Sequence, residues 1–381
     1  MVFYVVVFSA CVAMMLLNNT TSNPSGKNTL AIVTLIGLTV VSGTRYELGG
    51  GDYFNYQAVF NSMPRLPDFV HDFGQLDYLY VTDGFERGYL AFNSLVKTLG
   101  FNFYGFTLIE ATIFYTCLYI GLRRYAWNFN LVIVVFLCRL FFYDTFISLR
   151  QSMTIAIFFL AMDFIRRKRL VPYYLACFLA LSLHSASLIL FFLYPLAYFR
   201  LTRRRIAQLA AIFIPTLLVR FLGVPILHYF GFLRIFLATD SSTAKLDNVL
   251  AVTAGEPLGI FYVLEYFLMM AIVLFLYHQF VDHDDDKTTL ILKLFICLLP
   301  IMTLLSGTEA ITRLKDYFLL SYALILDRIC LAAGGKYRFL TQLAIILVNG
   351  IWFFRFLVLF DSGGMIPYQS FLGQGLSIFG T

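Results

Sequence analysis

Long apolar runs separated by short polar connections recur from one end of the chain to the other. They cover residues 1–17, 29–43, 101–121, 128–148, 152–165, 170–199, 206–223, 258–280, 289–305, 317–333 and 339–360. An α-helix rises 1.5 Å per residue and needs roughly 20 apolar residues to cross about 30 Å of hydrocarbon. The pattern therefore predicts an all-α polytopic membrane protein. Residues 1–17 have no basic start, and the polar stretch NNTTSNPSGKN follows without a small-residue cleavage pattern. They read as a retained first helix rather than a signal peptide.

Charge gives this bundle a direction. Three connections are basic and contain no acid: Arg123 and Arg124; Arg166, Arg167, Lys168 and Arg169; Arg200, Arg203, Arg204 and Arg205. Cytoplasmic loops carry the Lys/Arg excess, so all three belong inside. Both flanks of 170–199 are then cytoplasmic, and the segment must cross an even number of times. It is predicted as a helical hairpin with arms of about 15 residues, or about 22 Å, shorter than the bilayer core. Its tip, LSLHSAS, would place His184 at membrane depth. The count comes to about twelve helices, with loops 18–28, 281–288 and 334–338 inside and both termini outside. Segments 44–100, 144–151, 224–257 and 306–316 fall on the outer face. The first is too long and too rich in aromatics for a linker, and it is predicted to be a folded cap of amphipathic helices.

Composition agrees with one integral membrane domain over 1–381. Hydrophobic residues make up 60% and charged residues 13%, against roughly 25% charged in soluble proteins. The formal charge is +6, from 28 basic and 22 acidic residues. Without the ten basic residues of the three inner connections, 18 remain against 22 acids. The excess is thus an orientation signal and does not point to nucleic acid. All six cysteines (Cys11, Cys117, Cys138, Cys177, Cys297, Cys330) lie in apolar runs, with no C-x-x-C pair and no Cys/His cluster. Neither disulfides nor a metal site is expected.

Few polar residues then remain for chemistry on the outer side. Arg150 stands at the outer end of two apolar runs, where an ionisable group is costly unless it has a partner or a ligand. Arg313, in GTEAITRLKDYF, has Glu309 at helical i, i+4 spacing as an ordinary partner. His184 alone is a weak signal, but at a hairpin tip a histidine, the residue type that exchanges protons near neutral pH, suits a proton acceptor. The cluster RYELGGGDYFNY follows no Rossmann strand and has the wrong spacing for a nucleotide loop. Its glycines instead predict a tight exit from the second helix that leaves Arg45, Asp52 and Tyr53 facing a site. Glu86, in DGFERGYLAFNSL, also reads as a charge opening a helix, where the dipole favours an acid.

These elements in order resemble the EpsG family: RYELGGGDYFNY, FERGYLAFNSL, SLRQSMTIAIFFLAM, LSLHSASLI, TRLKDYF and the closing IPY. The resemblance runs over nearly the whole chain and departs in having three glycines before Asp52. It implies a Wzy-type polymerase of O-antigen, capsule or exopolysaccharide, with a metal-independent, cofactor-free, GT-C-like architecture. Such an enzyme works on the outer face of the bacterial plasma membrane. It transfers a growing chain from undecaprenyl diphosphate to the end sugar of an incoming lipid-linked oligosaccharide repeat unit, and a flippase and a chain-length regulator of the same pathway are its implied partners. On this reading Arg150 and Arg313, with Arg45, bind the diphosphate, because arginine offers a planar fork of donors to a charged leaving group. Glu86, Asp52 or His184 is the base. Tyr53, Tyr56 and Tyr89 contact sugar, and Gln151 and Tyr317 join them in binding substrate. An O-antigen ligase or another lipid-sugar-dependent glycosyltransferase would use the same groups and stays open. A transporter is disfavoured, since no internal repeat is visible.

Overall fold

The computed structural model describes residues 1–72, 84–139, 141–222, 260–281, 285–303, 309–359, 361 and 364–379. The outer segment expected at 224–257 lies outside these residues, as do 73–83 of the expected cap, 306–308 of the connection 306–316 and 282–284 of the acidic loop. Among the described residues there is no strand, and the protein is a multi-pass all-α chain. It divides into two compact units, Met1–Tyr194 with Ala333–Thr381, and Pro195–Ala332.

The first unit opens with two apolar helices, α1 (Val2–Thr20) and α2 (Pro24–Gly43). Asn23 starts α2 by accepting a hydrogen bond from the Ser25 amide, and Pro24 fills a first-turn position that needs no N–H donor. Three short helices follow within the segment expected as a cap: α3 (Gly50–Ser62), α4 (Leu66–His71) and α5 (Arg87–Thr98). Next come α6 (Phe103–Leu122), capped by Asn102, and α7 (Phe129–Cys138), capped by Asn128. Helices α8 (Phe141–Ile147), α9 (Leu149–Arg166) and α10 (Leu170–Leu183) complete the run. Helix α6 packs on α2 and α9, α10 packs on α9, and α1 on α7. Gly121 lets α6 approach α9 closely, since a β-carbon there would collide with the Phe159 carbonyl.

The outer surfaces of α1 and α2 leave Val5, Val6, Ile36 and Val40 exposed. A bilayer accounts for such faces where water would not. Among the described residues four helices are long and apolar enough to cross a membrane: α1, α2, α6 and the late stretch Arg313–Leu359. Phe129–Cys138, Leu170–Leu183, Ser185–Ala197 and Phe267–Phe280 are apolar but shorter.

After α10 the backbone is extended at His184, with φ −159° and ψ 128°, and then enters a 3₁₀ helix, Ser185–Phe192. This stretch packs on α10, where the Tyr173 hydroxyl donates to the Leu190 carbonyl at 2.5 Å. The second arm was expected to be α-helical. The 3₁₀ form rises about 2.0 Å per residue rather than 1.5, so few residues reach farther back along α10.

One end of the unit is strongly basic. Asp163, near the end of α9, receives Arg124 at 2.8 Å, Arg166 at 2.8 Å, Arg167 at 2.7 Å and the Tyr125 hydroxyl at 3.0 Å. Arg150 sits at the start of the same helix, and about 1.5 Å per residue puts it roughly 20 Å from this cluster along the axis. The closing residues bind elsewhere. The Tyr46 amide donates to the Gln369 carbonyl at 3.0 Å, the Phe371 amide to Thr44 at 2.9 Å, and the Asn102 side chain to Ser377 at 2.8 Å.

In the second unit α11 (Arg203–Phe221), α12 (Ile260–Phe280) and α13 (Asp286–Thr303) pack together. Helix α14 (Glu309–Leu359) begins in this unit and belongs to the first from Ala333 on, with a break at Gly334, where φ is 67°. A loop over 334–338 was expected there. Because glycine adopts this backbone without steric cost, one residue makes the break and both flanks stay helical.

Candidate functional site

Glu86, Arg150 and His184 come from three separate elements and meet in one hydrogen-bonded group. Glu86 precedes α5, Arg150 lies in the first turn of α9, and His184 ends α10. The contact of α5 with α10 depends on Gly88, where a β-carbon would come within 2.5 Å of both the carbonyl and the hydroxyl oxygen of Ser182. That closeness brings residue 86 to the α10 turn.

The Glu86 carboxylate is shared. Oε2 accepts from Arg150 Nη1 at 2.6 Å. Oε1 accepts from the Ser185 amide at 2.7 Å and lies 3.2 Å from His184 Nδ1. Glu86 makes no cap to its own helix. It instead satisfies an amide at the start of the 3₁₀ stretch, one of the donors a helix opening leaves without an internal partner. Arg150 Nη1 also donates to the Gly84 carbonyl at 2.8 Å, and its guanidinium lies 4.1 Å over the Phe85 ring.

Electrostatics follow from this geometry. Burial pushes the Glu86 carboxyl up, but the His184 hydrogen bond, the Arg150 charge and the Ser185 amide outweigh it and hold the group down at about 2. Glu86 is therefore an anion throughout the neutral range and a poor proton acceptor. An ionised carboxylate only accepts, so the shared hydrogen of the pair belongs to His184 Nδ1. In the neutral imidazole this assignment puts the lone pair on Nε2, which has no hydrogen-bond partner among the described residues.

The aromatic residues lie close by and deeper. Tyr56 stands next to Arg150, and burial raises its hydroxyl pKa. Its ring is 5.8 Å from Phe85 and 5.9 Å from Tyr89. Tyr53 and Tyr89 are fully buried in the same cluster, with Phe60, Phe103 and Phe106 around them. Asp52 occupies the first turn of α3 within electrostatic reach of Tyr56. Gln151 is buried beside Arg150 on α9.

Arg45 points inward. It is fully buried, with Nη1 donating to the Ser42 carbonyl at 2.7 Å and Nε to Leu48 at 3.3 Å. Its guanidinium lies 5.9 Å from the Tyr53 ring and 5.5 Å from Phe146. The glycines after it do make the tight turn: Gly49 has φ 126°, and a β-carbon there would strike the Phe146 carbonyl. Arg313 and Tyr317 belong to the second unit, one helical turn apart on α14, with Tyr317 fully buried.

Sequence reasoning did not single out Phe85, Gly88 or the Ser185 amide. The first two flank Glu86 in the FERGY stretch, and the third follows His184 directly. Among the described residues no group of three or more His, Cys, Asp or Glu is placed to hold a metal ion.

Comparison with known proteins gives one family. The model of the EpsG family matches residues 27–370 of this chain. No curated protein and no solved structure matches it.

Proposed function

The chain belongs to the EpsG family of Wzy-type polysaccharide polymerases, and we propose that it joins lipid-linked oligosaccharide repeat units on the outer face of the plasma membrane. The observation that carries this reading is the single carboxylate of Glu86 holding His184 on one oxygen and Arg150 on the other. One group thereby fixes both a proton acceptor and a cation in a chain whose charges are few.

In this reading His184 is the base. Its Nε2 takes the proton from the acceptor hydroxyl, while the ionised Glu86 fixes the tautomer and steadies the imidazolium that forms. The acceptor oxygen forms the new bond to the anomeric carbon, and the bond to the diphosphate breaks with its electron pair. The charge that gathers on undecaprenyl diphosphate is met by Arg150, which the Gly84 carbonyl and Glu86 hold through Nη1. Tyr56 and Phe85 beside it supply ring faces for sugar. The basic cluster around Asp163 lies at the other end of α9 from Arg150, which supports an outer site under the positive-inside rule.

Purified protein in lipid, given a defined undecaprenyl-diphosphate-linked repeat unit, should yield a ladder of longer lipid-linked products. A preparation that leaves the unit intact, or that moves it only onto a non-polymer acceptor, would overturn the polymerase reading in favour of a ligase or a carrier.

A further inference from the structure

The basic start of α11, in the second unit, carries a surface cavity of about 480 Å³ lined by Phe199, Arg205, Gln208, Leu209 and Ala211. Sites for small ligands commonly enclose roughly 300–1,000 Å³. One wall is cationic and held in place: Arg205 Nη1 donates to the Arg200 carbonyl at 2.6 Å, and the guanidinium lies 4.9 Å from the centre of the Phe199 ring. Arg203 turns to α12, with Nη2 2.7 Å from His278 Nδ1. Arg200, Arg204 and Arg205 form no ion pair among the described residues. The sequence has no acid between Asp163 and Asp240. Asp285, just before the neighbouring α13, accepts from the Thr288 hydroxyl at 2.6 Å and from the Lys287 and Thr288 amides. Three arginines therefore share this end of α11 without a protein counter-charge among the described residues.

Beyond the cavity the same helix offers an apolar track. Gln208, Ala211, Pro215 and Leu218 recur at intervals of three and four along one face of α11, Leu222 extends the series just past its end, and all are exposed. From Ala211 to Leu222 the track runs about 16 Å at 1.5 Å per residue, close to half of a bilayer core of roughly 30 Å. Its length is that of one leaflet. The Lys/Arg excess assigns the cavity end to the cytoplasmic side, where anionic lipids attract basic segments next to the membrane.

We propose that the cavity at the start of α11 binds one anionic phospholipid of the cytoplasmic leaflet. Arg204 and Arg205 take the phosphate, Gln208 meets the glycerol region, and an acyl chain lies along Ala211, Pro215 and Leu218. Charge selects the head and the track selects a lipid. A free anion would satisfy the arginines but leave the apolar strip uncovered, and a zwitterionic head would bring a cation of its own to a site that already holds three. The site does not depend on the polymerase reading.

The test uses the full-length protein in detergent, titrated with phosphatidylglycerol or phosphatidylcholine, with and without inorganic phosphate, while bound lipid is counted by native mass spectrometry. Phosphatidylglycerol should be retained in preference to phosphatidylcholine. The double variant R204Q/R205Q should weaken its binding on the order of 10-fold. A211W, which fills the cavity and keeps every charge, should weaken it as well. Equal retention of the two lipids overturns the proposal. So does an A211W protein that binds phosphatidylglycerol like the wild type, since the arginines would then act only as loose surface charge. Displacement of the lipid by inorganic phosphate would make the ligand a free anion. If either variant does not purify as a folded protein, the wild-type titrations decide alone.

Discussion

His184 Nδ1 lies 3.2 Å from Glu86 Oε1, across a contact between residues 98 positions apart in the chain. With Glu86 anionic, this contact sets which imidazole nitrogen carries hydrogen, and so makes His184 rather than Glu86 the group able to accept a proton. H184Q should lower the rate of polymer formation by about 10²–10⁴-fold, the usual contribution of a positioned base. E86Q should also slow turnover, because an amide no longer dictates the tautomer, but by less than H184Q. Product ladders resolved by time for the two variants check the order; an E86Q defect larger than that of H184Q would make Glu86 the reacting group.

Arg150 should not be replaceable by lysine. Its guanidinium serves the Gly84 carbonyl, Glu86 and the Phe85 face together, and a single ammonium cannot match that planar fork. R150K and R150A are both expected to leave single repeat units unjoined, while both proteins still extract and purify as folded species. Long chains from R150A would show that the diphosphate is bound by other groups.

The helical class, the membrane habit and the family were readable because each rests on many residues at once. The apolar runs that form α1, α2 and α6 need no tertiary information. The meeting of Glu86 with Arg150 and His184 was named in its members but not in its geometry, since a contact across 98 positions depends on how α5 seats on α10. Arg45 shows the limit from the other side. An arginine beside three glycines in an outer segment reads as facing a site, and the pattern alone gives no sign of its bonds to the Ser42 and Leu48 carbonyls. The 3₁₀ return after His184 was likewise unreadable, as its composition serves an α-helix equally well.

Gly88 is the hinge of the site's assembly. G88A places a methyl against the Ser182 carbonyl and hydroxyl, and the backbone oxygen cannot rotate away. Overpacking of this kind costs about 1–3 kcal/mol, so the melting temperature should fall. Because the same displacement draws Glu86 away from Ser185 and His184, activity at a temperature where the variant is fully folded should fall as well. A G88A protein with wild-type melting and wild-type rate would show that α5 and α10 can separate without loss.

The Glu86 carboxyl provides a pH signature of the folded site. Its pKa is held at about 2 against an ordinary 4.5, so folding favours the ionised form. A depressed carboxyl contributes stability that is fully present above the unfolded value and is lost as pH falls through the folded one. The window therefore runs from about 4.5 down to about 2, and neutral pH lies on its plateau. Removal of the charge in E86Q abolishes this contribution at every pH. The wild type should melt above E86Q by a constant margin between pH 6 and 7, and the margin should narrow steadily as the pH is lowered from 4.5 to 3. A margin that stays constant to pH 3 would mean that the ion pair with Arg150 and the bonds from Ser185 and His184 do not favour the ionised carboxylate in the folded protein.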